Sequence, residues 1–584
     1  MKKFLAVGGV FIALAAGQSL QANGAETAPA TCAEGAVRQF AGIPVRVAQA
    51  TGHFRTMKVG NRWLWVSPDG NAFWMLGVYG VDVSSSVDDQ GSTYRTRVIA
   101  KYGDADLKWG PQQNRRLLAW GFNALSEYAN KWVLPWTTIS DPRWPGTVQP
   151  VKLPAIPFPL QGAWYSQTNL SNYAAGPVKE IYWAMDSHFK GYRGQFADIF
   201  DPNFDLWVAR RVAAAEYAQA AASPWVLGFS SDDTDYLTGF GPGPDFNSSG
   251  HTHPHLGYVT LLTPPAQSAN PGRNVTYSDS KVYIKYALRD FIRTRYATIA
   301  ALNKAWGSTY TTFDSDGGWP TGRGLLDENG KGAWVGTNPS ALTNAAPSVK
   351  VDLDDFLYEI AKRYFTVYQT RIKQAYPHVL YLGPTTIGGW GAPPRRQILQ
   401  AAGQYLDVIR TTYNGDQARL DFMAQHAGDK PIMTWLGAVA NPDSALFRYP
   451  NGGQSNTFQS QEDRGAYYER SLTTQMNATA GPTGAQPFIG VQWWDYLDSW
   501  AEKANWGLVT LSDNAYDGKE ARVAPARDTW GLLRGNEHRD YGDFIVRVRQ
   551  ANQAVVTHLC EELQRKSSAD TTTRWIGRLV LERQ

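Results

Sequence analysis

Short apolar runs alternate with long helix-compatible stretches through most of this chain. The runs that we predict as strands lie at residues 121–126, 181–185, 225–230, 379–383, 405–410, 431–435 and 488–493. Helices are predicted between them, at residues 206–222, 281–306 and 352–375. Such alternation is typical of repeated βα units around a parallel sheet. A doubly wound sheet would alternate in the same way, but no glycine-rich phosphate turn follows an early strand. We therefore predict an α/β fold of the (β/α)8 TIM-barrel type.

The segments around this alternation predict how the chain is divided. Residues 60–82 read as two strands that turn at Pro68-Asp69-Gly70, and the second runs into the first barrel strand. We predict a lead and β-hairpin at 26–70 that closes the bottom of the barrel, the barrel itself at 71–535, and a helical extension at 536–584. Residues 135–177 and 240–274 read as long strand-to-helix loops, which in a barrel surround the active site, and 317–348 is a third long insertion.

Aromatic content and charge narrow the class of partner. The chain has 23 Trp, 29 Tyr and 23 Phe, and flat amphipathic rings suit the faces of sugars, although a large barrel also buries many of them. Charged residues make up 18% of the chain and the net charge is only +4, so neither nucleic acid nor a lipid surface is indicated as a partner. A carbohydrate is the partner that we expect.

The chain begins with the features of an export signal. Lys2 and Lys3 precede a short apolar run that ends near residue 16, which predicts a signal peptide at 1–25 and a secreted or periplasmic protein with no membrane span after cleavage. Export would expose Cys32 and Cys560 to an oxidising compartment, where they either pair or remain free thiols.

Nine short stretches carry a family resemblance. In chain order they are WLWVSPDGNAFWMLGV, RRLLAWGFNAL, FADIFDPNFD, SPWVLGFSSDD, YATIAALNKAWGSTYTTFD, HVLYLGPTT, DKPIMT, IGVQWWDYLD and NWGLVTLSDNAYDG. The pattern resembles the β-agarase family of glycoside hydrolases, family 50, and more loosely the wider clan of retaining barrel glycosidases that includes β-galactosidases. It extends over about residues 62–520. The resemblance implies a barrel fold and an agar-type galactan as substrate.

The resemblance also implies where catalysis takes place, and there the sequence departs from the family. Members carry an acid/base Glu after an Asn at the end of strand four, and a nucleophilic Glu at the end of strand seven. If Asp232 takes the place of the family's Asp, then Asp233 stands for the Asn and Thr234 for the acid/base Glu. The nucleophile position falls on Trp435 or Leu436, neither of which can attack carbon.

Three interpretations of this altered site stay open. In the first, a hydrolase uses a shifted set of carboxylates, in which crowding at one strand end raises the pKa of a general acid. The candidates are Asp232, Asp233 and Asp235 on strand four, with Asp495 as the first choice of partner and Asp498 or Glu127 as alternatives. The second is a sugar-binding protein without catalysis, and the third is a lyase in which Tyr413, Tyr496 or a loop histidine is the base. We expect the hydrolase, with Asp233 as the acid.

The remaining candidates would contact the sugar. They are Glu127, Trp390, Tyr413, Trp435, Trp493, Trp494 and Asp498, with Trp500 as a further possible platform. Trp225 and Trp306 are predicted as core instead. His251, His253 and His255 alternate as metal ligands could, but Pro254 between two of them favours an ordinary polar loop. No metal or cofactor is predicted, and the oligomeric state stays open.

Overall fold

A computed structural model describes most of the chain between residues 39 and 581. The described residues are 32, 39–83, 93–137, 151–161, 178–182, 195–232, 255–270, 275–329, 345–388, 394–437, 439–440, 456–458, 460–498, 506–509, 513, 526–527, 533–534 and 542–581. The predicted signal peptide and the residues Asp233, Asp235, Trp390 and Trp500 lie outside them.

The strands and helices are as follows. The strands are β1 Arg55–Val59, β2 Arg62–Val66, β3 Ala72–Phe73, β4 Met75–Val78, β5 Ala124–Leu125, β6 Glu180–Tyr182, β7 Gln195–Ala197, β8 Phe229–Ser230, β9 Ala269–Asn270, β10 Val275–Thr276, β11 Tyr381–Gly383, β12 Ile409–Thr412, β13 Ile432–Gly437, β14 Val439–Ala440, β15 Asn456–Thr457, β16 Phe488–Trp494, β17 Ala526–Arg527 and β18 Leu533–Arg534. The α-helices are α1 Tyr94–Tyr102, α2 Gly110–Ala119, α3 Pro202–Val212, α4 Ala215–Ala221, α5 Leu256–Leu262, α6 Tyr283–Arg295, α7 Ile299–Trp306, α8 Pro347–Ala375, α9 Arg396–Tyr405, α10 Gln417–Ala427, α11 Gln461–Asn477 and α12 Gly542–Leu581.

The sheet that organises the fold is parallel. Five strands pair in the order β12, β13, β16, β4, β5, and every neighbouring pair is parallel. A second parallel pair joins β8 to β11. Ala155 connects the two sets, because it forms parallel bridges to Leu125 of β5 and to Val226 just before β8. The fold is therefore mixed α/β with a parallel sheet, in agreement with the α/β prediction.

The position of Ala155 corrects the sequence reading. Residues 154–156 were predicted as part of a long loop, whereas Ala155 occupies the sheet position between the second and fourth predicted strands. Pro154 and Pro157 flank it, and proline cannot donate a ladder hydrogen bond, so the segment has no strand signature. The strand predicted at 181–185 was expected in the parallel sheet, and this is wrong, because β6 pairs antiparallel with β7 outside that sheet.

Two predicted helices are each divided in the structure. The 281–306 stretch forms α6 and α7, and the Thr298 side chain caps the second helix by accepting a hydrogen bond from the Ala301 N–H. The 206–222 stretch likewise forms α3 and α4, with a break at Ala213 and Ala214. The alanine content of 206–222 and the amphipathic pattern of 281–306 each predicted a single helix.

An apolar cluster fills the interior at the amino ends of the parallel strands. Four buried aromatic residues close it from below, namely Phe40, Phe54, Trp65 and Phe73, the last two of which lie in the antiparallel β1–β2–β3 sheet. The strand segments contribute Met75, Ala124, Ile156, Leu227, Leu382, Val408, Met433 and Ile489 to the same cluster. The N-terminal hairpin therefore covers the apolar cluster at the amino ends of the strands.

Within the described residues, the chain between β8 and β11 contains four α-helices, and a buried lysine connects two of them. Lys285 of α6 is 1% exposed and donates hydrogen bonds to the carbonyls of Leu261 and Glu328, the latter at 3.0 Å. Burial lowers the pKa of Lys285 to about 7, and the charges of Glu328 and Asp327 oppose this shift only in part. The ammonium therefore connects α5, α6 and the turn at Glu328.

A disulfide joins the start of the described chain to its last helix. Cys32 and Cys560 are paired, with their Cα atoms 5.8 Å apart, and Cys560 is fully buried in α12. Of the two possibilities that the sequence left open, the structure has the bridge. No helix among the described residues is long and apolar enough to span a bilayer.

Candidate functional site

An arc of aromatic side chains lies at the carboxyl ends of the parallel strands. We call it the aromatic arc, and it consists of Phe158, Tyr128, Tyr79, Trp435 and Trp494. Ring centroids are 4.4 Å apart for Phe158 and Tyr128, 5.0 Å for Tyr128 and Tyr79, 5.0 Å for Tyr79 and Trp435, and 6.4 Å for Trp435 and Trp494. Phe158 is 41% exposed, while Tyr79, Tyr128 and Trp494 are half-buried. Such rings offer apolar faces to a ligand at the carboxyl ends of the strands, where parallel α/β sheets bind their ligands.

Strand alternation decides which tryptophan of β16 belongs to the arc. Successive side chains of a strand point to opposite faces, so Trp493 and Trp494 cannot both face the same side. Trp493 is fully buried against Tyr468 of α11 and Phe544 of α12, at centroid distances of 5.6 and 5.1 Å. The expectation that Trp493 is a sugar platform is therefore corrected, and only Trp494 faces the site.

An ionic layer lies inside the sheet between the apolar cluster and the aromatic arc. It consists of Glu127, Arg410, Ser126, Ser230 and Gln492, all of which are fully buried. One Glu127 oxygen accepts from Arg410 and Ser230, and the other accepts from Ser126 and Gln492. Burial alone would raise the pKa of Glu127, but the Arg410 charge and the serine hydrogen bonds outweigh it and hold that pKa below its usual value. Glu127 is therefore a fixed anion.

Asp495 directly follows the last arc residue. It is half-buried, and its Oδ1 accepts a hydrogen bond of 2.6 Å from the Tyr496 N–H. The same N–H donates to the carbonyl of Tyr79, 3.0 Å away, which ties the end of β16 to the end of β4. The peptide bond between Trp494 and Asp495 is cis. Among the four acidic candidates that the structure describes, Asp495 is the one that is half-buried, while the others are buried.

A buried clamp holds the residue after Asp495. The Tyr496 hydroxyl lies 2.5 Å from Oε1 of Gln113 and 2.9 Å from the Arg116 guanidinium. Arg116 in turn pairs with the buried carboxylate of Asp513 at 3.1 Å, to which the Tyr94 hydroxyl donates at 2.5 Å. Burial raises the pKa of Tyr496 far above its ordinary value, which argues against the general-base role considered for it.

Three other predicted site residues have structural partners. Asp232 is buried and accepts a hydrogen bond from the Tyr364 hydroxyl of α8, while Asp498 accepts from the Gly507 N–H at 3.0 Å and thereby holds a loop. Tyr413 is also buried, with its ring 4.9 Å from that of Phe488. None of these contacts brings a side chain to the aromatic arc.

The position that the family resemblance assigns to the nucleophile is occupied by an indole. Trp435 is buried, and its Nε1 donates to the carbonyl of Thr385, 2.5 Å away beyond the end of β11. The next residue, Leu436, packs in a different apolar cluster, together with Tyr468 of α11. The end of β13 therefore presents an aromatic surface where the resemblance implies a carboxylate.

The histidine segment gives no metal centre within the described residues. His255 is buried, its Nε2 lies 2.5 Å from a carboxylate oxygen of Asp354, and its Nδ1 accepts from the Gly257 N–H at the start of α5. Burial lowers the pKa of His255 to about 4, so the ring is neutral at physiological pH. No cluster of three or more potential metal ligands occurs in the part of the chain that the structure describes. His251 and His253 lie outside it.

Sequence reasoning missed three members of the arc. Tyr79 and Tyr128 follow β4 and β5 closely, and Phe158 follows the bridge at Ala155. An aromatic residue just after an apolar run is the signal that identifies Tyr79 and Tyr128. Phe158 could not be found in this way because its strand was not recognised.

Comparison with known proteins gives one consistent likeness. No family model matches the chain. β-Agarase B of Vibrio sp. (strain JT0107) is 23% identical over 517 residues, which are 80% of this chain and 47% of that protein. β-Agarase A of the same organism is 24% identical over 443 residues, 73% of this chain and 36% of that protein. An exo-β-agarase structure aligns over 89% of this chain and 67% of its own, with a TM-score of 0.60 and 18% identity. The resemblance to family 50 β-agarases is confirmed, and the chain spans half or less of these curated relatives.

Proposed function

We propose that the protein is a glycoside hydrolase that cleaves O-glycosidic bonds in a poly- or oligosaccharide, with an agar-type galactan as the first candidate. The observation that carries this proposal is the aromatic arc with Asp495 beside it, at the carboxyl ends of parallel strands. The relatives named above are β-agarases, which supports the same class of substrate.

The proposal includes a closed (β/α)8 barrel. Two backbone hydrogen bonds support closure between β11 and β12, from the Asp407 N–H to the Tyr381 carbonyl at 3.0 Å and from the Ile387 N–H to the Arg410 carbonyl at 2.7 Å. With Ala155 as the third strand, the parallel order runs from β12 through β5, Ala155 and β8 to β11, which is again next to β12. The shared interior cluster, to which eight strand segments contribute, supports the same arrangement.

The proposed reaction is a single displacement. Asp495 takes a proton from a water molecule, whose oxygen attacks the anomeric carbon while the glycosidic C–O bond breaks and Asp233 gives its proton to the leaving oxygen. Asp232 is not the acid in this scheme, because it is buried and bound by Tyr364. A covalent intermediate is not part of the scheme, because Trp435 stands at the strand-seven position. The anomeric configuration should therefore be inverted.

The test is turnover by the purified protein on agarose, other algal galactans and plant polysaccharides, with reducing ends and product anomers measured. Asp495→Asn and Asp233→Asn should each lower kcat by at least about 100-fold while leaving KM within a few-fold, because both act in the transition state. Asp106→Asn is the control, since that carboxylate pairs with Arg95 on the surface, at 3.1 Å. Wild-type kcat in either site variant, or retention of configuration, would refute the scheme.

A second function is a carbohydrate-binding protein without turnover. The specific observation that favours it is that Trp435 occupies the nucleophile position while Glu127, Asp232 and Asp498 are buried and hydrogen-bonded. Affinity electrophoresis in the same polysaccharides separates the two functions. Retardation without release of reducing ends on any polysaccharide would establish binding alone.

Export and domain division remain part of the proposal. We propose that residues 1–25 are removed and that the mature protein is secreted or periplasmic, with the barrel at 71–535 and a helical extension at 536–584. Mass spectrometry of the exported protein tests the first point, and a mass that still includes Met1 would contradict it.

A further inference from the structure

Gly80 lies where the end of β4 meets Asp495. Its φ is +69°, in the left-handed region that glycine adopts without steric cost. A Cβ built on Gly80 would overlap Oδ1 of Asp495 and would lie 3.1 Å from its Cγ and 3.3 Å from its Oδ2. All three of these atoms belong to the carboxylate of Asp495, and none to the backbone. The absence of a side chain at residue 80 therefore creates the space that this carboxylate occupies.

The backbone of Gly80 cannot move away to relieve such an overlap. Its N–H donates to the carbonyl of Glu127 at 3.1 Å, and its own carbonyl accepts from the Asp82 N–H at 2.7 Å. Glu127 is itself fixed by the ionic layer. A methyl group at residue 80 would thus be held in place, and the side chain that can move is that of Asp495.

We propose that Gly80 is a positioning residue that sets the location of the Asp495 carboxylate against the bound sugar. This inference rests on the proposed function, in which Asp495 activates water. A displacement of the carboxylate by about 1 Å would lower the rate on the order of 100-fold, because a general base must stay within hydrogen-bond reach of the water. Sugar binding on the aromatic arc would change little.

The test compares Gly80→Ala with Gly307→Ala on solubilised agarose. Gly307 ends α7 with a φ of +65°, and no heavy atom lies within 4 Å of a Cβ built there, so this control has the same backbone strain without the contact. We expect Gly80→Ala to lower kcat about 100-fold with KM within twofold, and Gly307→Ala to keep wild-type kcat. Adding Asp495→Ala to Gly80→Ala should cause no loss beyond that of Asp495→Ala alone.

The possible results separate this inference from the proposed function. If Asp495→Ala keeps wild-type kcat, the proposed role of Asp495 fails and the inference fails with it. If Asp495→Ala is inactive while Gly80→Ala resembles Gly307→Ala, only the positioning role fails. A further loss in the double variant would mean that Gly80 acts through another group, which also overturns the inference.

A stability measurement tests the contact without any substrate, and it applies even if Gly80→Ala folds poorly. Asp495→Ala removes the three atoms that the new methyl group would meet. In the wild-type background, Gly80→Ala should therefore lower Tm more than Gly307→Ala does. In the Asp495→Ala background, the two glycine substitutions should lower Tm equally. Equal effects of the two glycine substitutions in both backgrounds would contradict the contact.

Discussion

Replacing Glu127 by glutamine should destabilise the protein strongly, although the two side chains have nearly the same shape. In the folded protein the carboxylate accepts four hydrogen bonds and neutralises Arg410, and both charged groups are 0% exposed. Glutamine would leave the guanidinium buried without a counter-charge, which costs about 3–5 kcal/mol in comparable pairs. The expected loss in the free energy of unfolding at pH 7 is therefore about 4 kcal/mol.

The same substitution should change how stability depends on pH. The folded-state pKa of Glu127 lies below its ordinary value of 4.5, so the unfolded chain binds the proton more readily. The stability contributed by this charge is therefore complete above pH 4.5 and is lost as the pH falls through the folded-state pKa. The difference between wild type and Glu127→Gln should be constant near neutral pH and should shrink below pH 4.5.

Urea unfolding followed by tryptophan fluorescence across this pH range measures both effects. The control is Asp106→Asn, which breaks a pair with Arg95 whose side chains are 29% and 43% exposed, and which should cost less than about 1 kcal/mol. A loss of under about 1 kcal/mol for Glu127→Gln at pH 7, or a loss that does not change with pH, would refute the structural role assigned to the ionic layer.

Three further predictions concern features away from that layer. The pKa of Lys285 is about 7 in the folded protein and 10.5 in the unfolded chain, so the unfolded chain holds more protons between these values and stability should rise with pH across them. Lys285→Met should remove this rise, which is on the order of 3 kcal/mol between pH 7 and pH 10 in urea unfolding, and an equal change in stability between the two pH values for both proteins would contradict this. Cys560→Ser should cost about 2–4 kcal/mol by releasing Cys32, and dithiothreitol should lower the Tm of wild type but not of the variant. Phe158→Ala should weaken oligosaccharide binding about 10-fold by titration calorimetry, while Leu206→Ala, which removes a side chain of similar exposure at 44%, should leave it unchanged.

The sequence predicted the parallel sheet because buried strands and amphipathic helices have different apolar periods. It failed at Ala155, where a single bridging residue between prolines takes the place of a strand. No local pattern distinguishes such a residue from a loop, since its pairing partners lie on β5 and just before β8 and are distant in the chain.

The candidate site was predicted in part. Trp435, Trp494 and Asp495 were placed at one end of the sheet, and the structure brings the first two within 6.4 Å of each other, with the third adjacent. The sequence could not show that Trp493 and Asp232 are buried away from the site. Each lies at or just after the end of a strand, and its position depends on which face of the sheet its side chain occupies there. A shift of one residue reverses that face.

The position of the ionic layer has a consequence for how the two sides of the sheet respond to substitution. Glu127, Arg410 and their hydroxyl and amide partners separate the aromatic arc from the apolar cluster below it. A substitution in the arc therefore removes no residue of the apolar cluster. The surface at the carboxyl ends of the strands can change while the packing at their amino ends keeps its residues.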